Sequence, residues 1–117
     1  MTEHSLPAEL GLSLAHIGIN CADEESARQT AAALCGLLGL EYRPGEKSIF
    51  AGSIAECMKS PYRGQNGHIA LAVSDLEQAV CCLQRRGVAF DETTHTSKAI
   101  YLRNEVGGFA IHLLQKG

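Results

Sequence analysis

Two segments, about fifty residues apart, alternate apolar and polar or small positions with the two-residue period of a β-strand. The first covers Leu14–Cys21 and the second covers His68–Val73. Each presents a histidine, His16 or His68, on one face and bulky aliphatic side chains on the other. The bulky face suits packing against a helix. The histidine face carries small neighbours, which suits the concave side of a curved sheet, so we expect both histidines to face a pocket.

An acidic helix start follows each of these strands. Asp23 and Asp75 are predicted N-caps, and an apolar stripe with helical spacing follows each of them, in the first case as far as Leu38. Gly39 and Gly87 are predicted to end the two helices. Three short extended segments then follow each helix: residues 40–43, 48–51 and 54–59 in the first half, and 88–90, 98–103 and 109–115 in the second.

The chain therefore repeats one order of elements, and such a repeat is a strong indication of fold. We predict an α+β protein whose two βαβββ modules form a cupped mixed sheet with helices on the convex side. Module one covers residues 13–60 and module two covers residues 66–116, within a single domain of residues 13–117. Residues 1–12 are predicted to form an N-terminal arm, with a helical turn at Pro7–Leu10.

Each module presents one residue able to bind a metal on its first strand and one on its last. These are His16 and Glu56 in module one, and His68 and His112 in module two. Alternation places the histidines on the small-residue face, whereas the orientation of Glu56 stays open. A single strand histidine is more often structural or solvated, but four such residues at equivalent positions favour a site. Imidazoles with one carboxylate are a usual set for divalent Zn, Ni, Mn, Co or Fe.

Composition narrows the class of protein. The chain has 117 residues, is 45% hydrophobic and 20% charged, and carries a net charge of −3, which is ordinary for one soluble domain and unlike a nucleic-acid binder. No apolar stretch predicts a membrane span, and the acidic N-terminus does not resemble a signal peptide. Five cysteines without a CxxC pair predict buried, reduced thiols in a cytoplasmic protein.

Three segments carry a resemblance to a known family: AHIGINCAD (15–23), NGHIALAVSDLEQAVCCLQRRGVAFDE (66–92) and AIYLRNEVGGFAIHLLQ (99–115). With the βαβββ repeat, they resemble the vicinal oxygen chelate superfamily, which includes glyoxalase I, bleomycin- and fosfomycin-resistance proteins and extradiol dioxygenases. In metal-using members the ligands come from the first and last strands of each module, which selects His16, Glu56, His68 and His112. The position of His112 departs from the glyoxalase pattern, in which a glutamate commonly stands.

A narrower resemblance covers SIFAGSIAECMKSPYRGQNGHIAL (48–71) and AIYLRNEVGGFAIHLLQKG (99–117). Both segments are similar to a glyoxalase-like extension that follows some bacterial 2-keto-3-deoxy-6-phosphogluconate aldolases. This similarity implies an accessory module or a stand-alone relative connected with keto-acid sugar metabolism, and an aldolase domain as a partner.

The superfamily resemblance implies a lyase or isomerase that acts on a small hydroxy-carbonyl compound or 2-keto acid chelated to a divalent metal. Glu56 is the candidate catalytic base, because it is the one carboxylate in the set. Candidate substrate-binding residues lie in the loop between the modules and beside the second module: Lys59, Tyr62, Arg63 and Arg103. A solvated linker is the alternative for the loop, and a non-catalytic binding module is the alternative for the protein. We expect a homodimer, with the cup built within one chain or between two.

Overall fold

The computed structural model describes residues 5–117 and shows an α+β architecture. In this part of the chain one open, eight-stranded mixed sheet is accompanied by three α-helices. The elements, in chain order, are α1 (Leu6–Leu10), β1 (Ser13–Asn20), α2 (Glu24–Leu38), β2 (Tyr42–Pro44), β3 (Ser48–Ala51), β4 (Ala55–Met58), β5 (Gly67–Val73), α3 (Leu76–Arg85), β6 (Phe90–Asp91), β7 (Ala99–Leu102) and β8 (Phe109–Gln115). In each half of the described chain a strand is followed by a helix and three further strands.

The two long helices begin and end where the sequence predicts. The Asp23 carboxylate accepts a hydrogen bond of 2.8 Å from the backbone N–H of Ser26, and Asp75 accepts one of 3.1 Å from Gln78. Each aspartate thereby satisfies a backbone donor that the first helical turn leaves without a partner. Gly39 ends α2 with a φ of 70°, a left-handed conformation that glycine adopts without steric cost.

The strand order of the sheet is β2-β3-β4-β1-β5-β8-β7-β6. The first strands of the two modules, β1 and β5, pair antiparallel at the centre, and each pairs on its other side with the parallel last strand of its own module, β4 or β8. In this structure both halves of the sheet come from the same chain. A β-bulge interrupts the β1–β5 pairing between Leu14 and His16.

The hydrophobic core lies on one face of the sheet and is divided between the modules. In module one, Ala27 and Ala31 of α2 pack with Ile49 of β3 and Cys57 of β4. In module two, α3 packs over the sheet through a larger cluster: Leu76, Ala79, Val80, Phe90, Ile100 and Leu113. The helices thus cover one face, and the opposite face is left for the polar side chains.

The N-terminal segment packs more closely than an arm. Leu10 is buried in the core of module two, and its carbonyl accepts a hydrogen bond of 2.9 Å from the backbone N–H of Ser74. The predicted helical turn is part of α1, and residues 1–4 of the predicted arm lie outside the described residues. Within residues 5–117, no helix is long and apolar enough to cross a membrane.

The expectation that the cysteines are buried is correct for two of them. Cys21 and Cys57 are buried, whereas Cys81 is exposed. Cys81 lies on α3 next to Cys82, but the helical period turns it away from the sheet. Its Sγ atom accepts a hydrogen bond of 3.4 Å from the Arg85 guanidinium.

Candidate metal centre

The four predicted ligand residues lie on adjacent strands at the centre of the sheet. Gly18 of β1 pairs with Glu56 of β4 on one side and with His68 of β5 on the other. Two residues away along β1, His16 pairs with Ala70 of β5, which in turn pairs with His112 of β8. All four side chains line the same cavity. The open question about the orientation of Glu56 is thus answered in favour of the histidine face.

Three of the four side chains converge on one point. The Glu56 Oε1 atom lies 3.3 Å from His16 Nε2 and 3.2 Å from His68 Nε2, and the two Nε2 atoms are 3.4 Å apart. Donors about 2.0–2.1 Å from a tetrahedral ion lie roughly 3.3–3.4 Å from one another, so this triangle has the size of one face of a zinc-like coordination shell. This triad of His16, Glu56 and His68 could hold a metal ion.

The chemistry of the triad also suits a cation. The carboxylate oxygen offers an electron pair, and each imidazole Nε2 offers one when the proton of its ring is on Nδ1, so the convergence of these three atoms requires a proton or a metal ion between them. His68 is almost fully buried, with 3% of its surface exposed, and its Nδ1 has no hydrogen-bond partner among residues 5–117. A metal ion at Nε2 would bind the side of this ring that faces the other two donors.

Glycine at position 18 is what allows the His68 ring to reach this point. A Cβ atom on Gly18 would lie 2.0 Å from Cε1 of His68 and 2.5 Å from its Nε2. The ring therefore occupies the space directly above the Gly18 backbone. The nearby β-bulge lies next to His16, and bulges commonly re-aim a side chain beside a functional site.

A serine and the two histidines fix the Glu56 carboxylate. The Ser48 hydroxyl donates a hydrogen bond of 2.8 Å to Oε2, which leaves Oε1 directed at the histidines. The imidazole of His16, followed by that of His68, holds the pKa of Glu56 well below its usual range, although burial acts in the opposite direction. Glu56 is therefore ionised at neutral pH, as a metal ligand must be.

His112 belongs to the cavity but not to the triad. Its ring stacks on Tyr101, with 3.9 Å between centroids and 4° between planes, and its centroid lies 6.1 Å from that of His68. Its buried Nδ1 has no hydrogen-bond partner in the described chain. Burial, with a further contribution from His68, lowers the pKa of His112 to about 4. Its imidazole is therefore neutral at pH 7.

The cavity around these residues has a volume of about 540 Å³, which is in the range of small-molecule sites. Phe50 and Met58 of module one form one wall, and Tyr101 and the turn at Thr93–Thr94 of module two form another. Burial raises the pKa of Tyr101 to about 12, so its hydroxyl stays protonated.

The predicted substrate-binding residues lie in three different places. Tyr62 and Arg63 line this cavity, on the segment that joins the modules. Lys59 instead lies 3.4 Å from Glu24 and lines a neighbouring cavity of about 530 Å³, which Glu56 also borders. Arg103 is exposed and is not among the described residues that line either cavity.

Sequence reasoning missed Ser48, Phe50, Tyr101 and the threonine turn. Phe50 pairs directly with Glu56, and Tyr101 pairs directly with His112, so both were accessible once the strand register was known. The signal was the hairpin at Gly52-Ser53, which places residues 48, 50 and 56 on one face. The turn at 92–97 carries no periodic pattern that would have indicated a cavity wall.

No protein-family model matches the chain, and a search of curated proteins finds no significant match.

Proposed function

We propose that the protein is a divalent-metal-dependent enzyme of lyase or isomerase type. Its substrate would be a small hydroxy-carbonyl compound or 2-keto acid that chelates the ion through adjacent oxygen atoms. The observation that carries the proposal is the triangle of His16 Nε2, His68 Nε2 and Glu56 Oε1 at the wall of an open cavity. A bound ion would act as a Lewis acid that stabilises negative charge on substrate oxygens.

Separate roles are assigned to the polar residues of the cavity. His16, His68 and Glu56 hold the ion, and Ser48 orients the carboxylate. Glu56 is also the proton acceptor that the sequence suggests, but a coordinated carboxylate with a strongly lowered pKa is a weak base. His112 is the second candidate for proton transfer, because its neutral ring lines the cavity.

The test combines metal binding with turnover. Protein without a histidine tag is dialysed against Zn, Ni, Mn, Co or Fe(II), and the bound metal is measured. We expect close to one ion per chain in wild type and loss of that ion in His16→Ala, Glu56→Gln and His68→Ala. His95→Ala is the matched control, because His95 pairs with Glu77 at 3.3 Å, outside the cavity lining.

Turnover of the loaded protein is then assayed with the methylglyoxal–thiol adduct and with 2-keto-3-deoxy sugar acids. His112→Gln should retain the ion and lose turnover if His112 transfers the proton. Absence of any bound or titratable ion in wild type would refute the proposal.

A second candidate is a binding module without catalysis. The observation that favours it is the stacking of His112 on Tyr101, which keeps this fourth predicted ligand apart from the triad. In that case the loaded protein would show a heat of binding for a 2-keto acid in calorimetry but would form no product.

The expected assembly is a homodimer, with an aldolase domain as a further partner. Large exposed apolar side chains in module one support self-association; they include Leu14, Leu37, Leu38 and Ile54. Sedimentation equilibrium of wild type and of Leu37→Gln/Leu38→Gln tests the homodimer, and a monomeric wild type would exclude it.

A further inference from the structure

The segment between the modules brings a cation to the cavity. Arg63 is the one lysine or arginine among the described residues that line it, and Glu56 is the one aspartate or glutamate. The Glu56 carboxylate is already engaged by His16, His68 and Ser48. The positive charge of Arg63 is therefore the charge that the cavity offers to a ligand beyond the triad.

This segment is largely exposed, but hydrogen bonds hold its backbone in place. The Asn20 side-chain amide donates a hydrogen bond of 2.8 Å to the carbonyl of Gly64, and its oxygen accepts one of 3.2 Å from the backbone N–H of Tyr62. Asn20 lies on β1, the strand that carries His16. A Cβ atom on Gly64 would collide with the carbonyl oxygen of Gly67, so the turn is closely packed. The backbone on either side of Arg63 is thus fixed relative to the triad.

The Arg63 side chain is positioned but keeps donors available. Its guanidinium carbon lies 5.0 Å from the centroid of the Tyr101 ring, and Nη1 lies 3.5 Å from Asp91 Oδ2. Asp91 is itself held by Thr93, which donates to its Oδ1 from both backbone and side chain. Arginine has five N–H donors, and the long contact with Asp91 engages one nitrogen, which leaves the other guanidinium donors for a ligand.

The Arg63–Asp91 pair is long and partly exposed, and the Arg63 guanidinium also lies over Tyr101 at the cavity wall. The planar donor set of arginine matches a carboxylate or phosphate group geometrically, with two parallel hydrogen bonds. The feature that remains is a fixed cation in the same cavity as a metal-binding triad.

We propose that Arg63 binds a second anionic group, at the far end of a substrate whose oxygen-chelating end binds the metal ion. This inference rests on the proposed function and narrows its substrate class to metal-chelating oxo or hydroxy acids that carry a remote carboxylate or phosphate. A compound with a single acid group would satisfy the triad and leave Arg63 without a ligand.

The test compares ligands that differ only at the remote end. Binding to the zinc-loaded protein is measured by calorimetry for 2-oxopentanoate and 2-oxoglutarate, which differ in a remote carboxylate, and for glycerate and 3-phosphoglycerate, which differ in a phosphate. We expect the member with the remote anion to bind roughly tenfold or more tightly, because a hydrogen bond to a charged group contributes that much. The pair with the larger ratio indicates whether the remote group is a carboxylate or a phosphate.

The variant Arg63→Gln should abolish the difference within each pair while affinity for the single-anion members is retained. Arg86→Gln, on the exposed end of α3, removes the same charge away from the cavity and should keep the difference. An unchanged ratio in Arg63→Gln, or no preference in wild type, would overturn the inference and leave the metal site intact. Failure of wild type to take up metal would instead overturn the proposed function and this inference with it.

Discussion

Substitution of Gly18 by alanine tests the geometry of the site without touching a ligand. Gly18 does not belong to the glycines with positive φ, so its backbone accepts alanine without strain. The new methyl group, however, would lie 2.0 Å from Cε1 and 2.2 Å from Nδ1 of His68. Since ordinary carbon–carbon contacts are about 3.5–4.0 Å, the ring must retreat by roughly 1.5 Å. That movement takes Nε2 away from His16 and Glu56.

Two effects set the expected magnitude for Gly18→Ala. Overpacking of a buried site costs about 1–3 kcal/mol, and replacing glycine in a strand returns about 0.5–1 kcal/mol, so we expect a net loss of stability of about 1–2 kcal/mol. A metal site tolerates displacements of about 0.2 Å in its ligands. Zinc affinity should therefore fall by about a hundredfold, which is at the upper end of the effect of losing a residue that orients a ligand.

Urea unfolding and zinc calorimetry measure the two effects. The double variant Gly18→Ala/His68→Ala removes the ring, so the alanine at position 18 should stabilise by about 0.5–1 kcal/mol in that background, and the mutant cycle should give a coupling equal to the overpacking cost of about 1–3 kcal/mol. The control is Gly36→Ala on α2, where a Cβ atom meets nothing within 4 Å and zinc binding should be unchanged. Zinc affinity of wild-type strength in Gly18→Ala would refute the placement of His68 above Gly18.

Three further predictions concern the surroundings of the site. Ser48→Ala removes the donor to Glu56 Oε2 and should weaken zinc binding about tenfold in calorimetry, with folding retained; unchanged affinity would show that the serine does not orient the ligand. Burial lowers the pKa of His112 from 6.5 to about 4, so the folded protein binds fewer protons than the unfolded chain between these values. The stability that this neutral ring contributes is complete above about pH 6.5 and is lost as the pH falls toward 4. Between pH 7 and pH 4.5, the free energy of unfolding measured in urea should therefore fall less in His112→Gln than in wild type; equal falls would contradict this. The exposed Cys81 should react with a thiol reagent in the native state, whereas the buried Cys57, whose pKa is raised to about 11, should react only after unfolding. Peptide mapping of the labelled protein measures this, and early labelling of Cys57 would contradict its placement.

The fold was accessible from sequence because local signals and periodicity agree with one another. Asp23 and Gly39 delimit α2, and the two-residue alternation around His16 and His68 orients the central strands. The repeat of the element order then allows the first and last strands of each module to be compared. These signals are short-range, so they can be read along the chain.

The parts of the site that sequence did not predict depend on register and packing. The repeat places His112 beside the other three residues, but its stacking on Tyr101 depends on the β7–β8 pairing. Lys59 is near the right segment, but its side chain turns toward Glu24 on α2. Arg103 is exposed and lies outside the cavity lining. The sequence did not predict this, because a position at the end of a strand does not show which side of the sheet the side chain faces.

The location of a bound ion tests the central claim most directly. Crystals of the tag-free protein grown with zinc can be measured at the zinc absorption edge. We predict an anomalous peak in contact with His16 Nε2, His68 Nε2 and Glu56 Oε1. The same three atoms in hydrogen-bonding contact with one another, with the peak absent or at another position, would contradict the account.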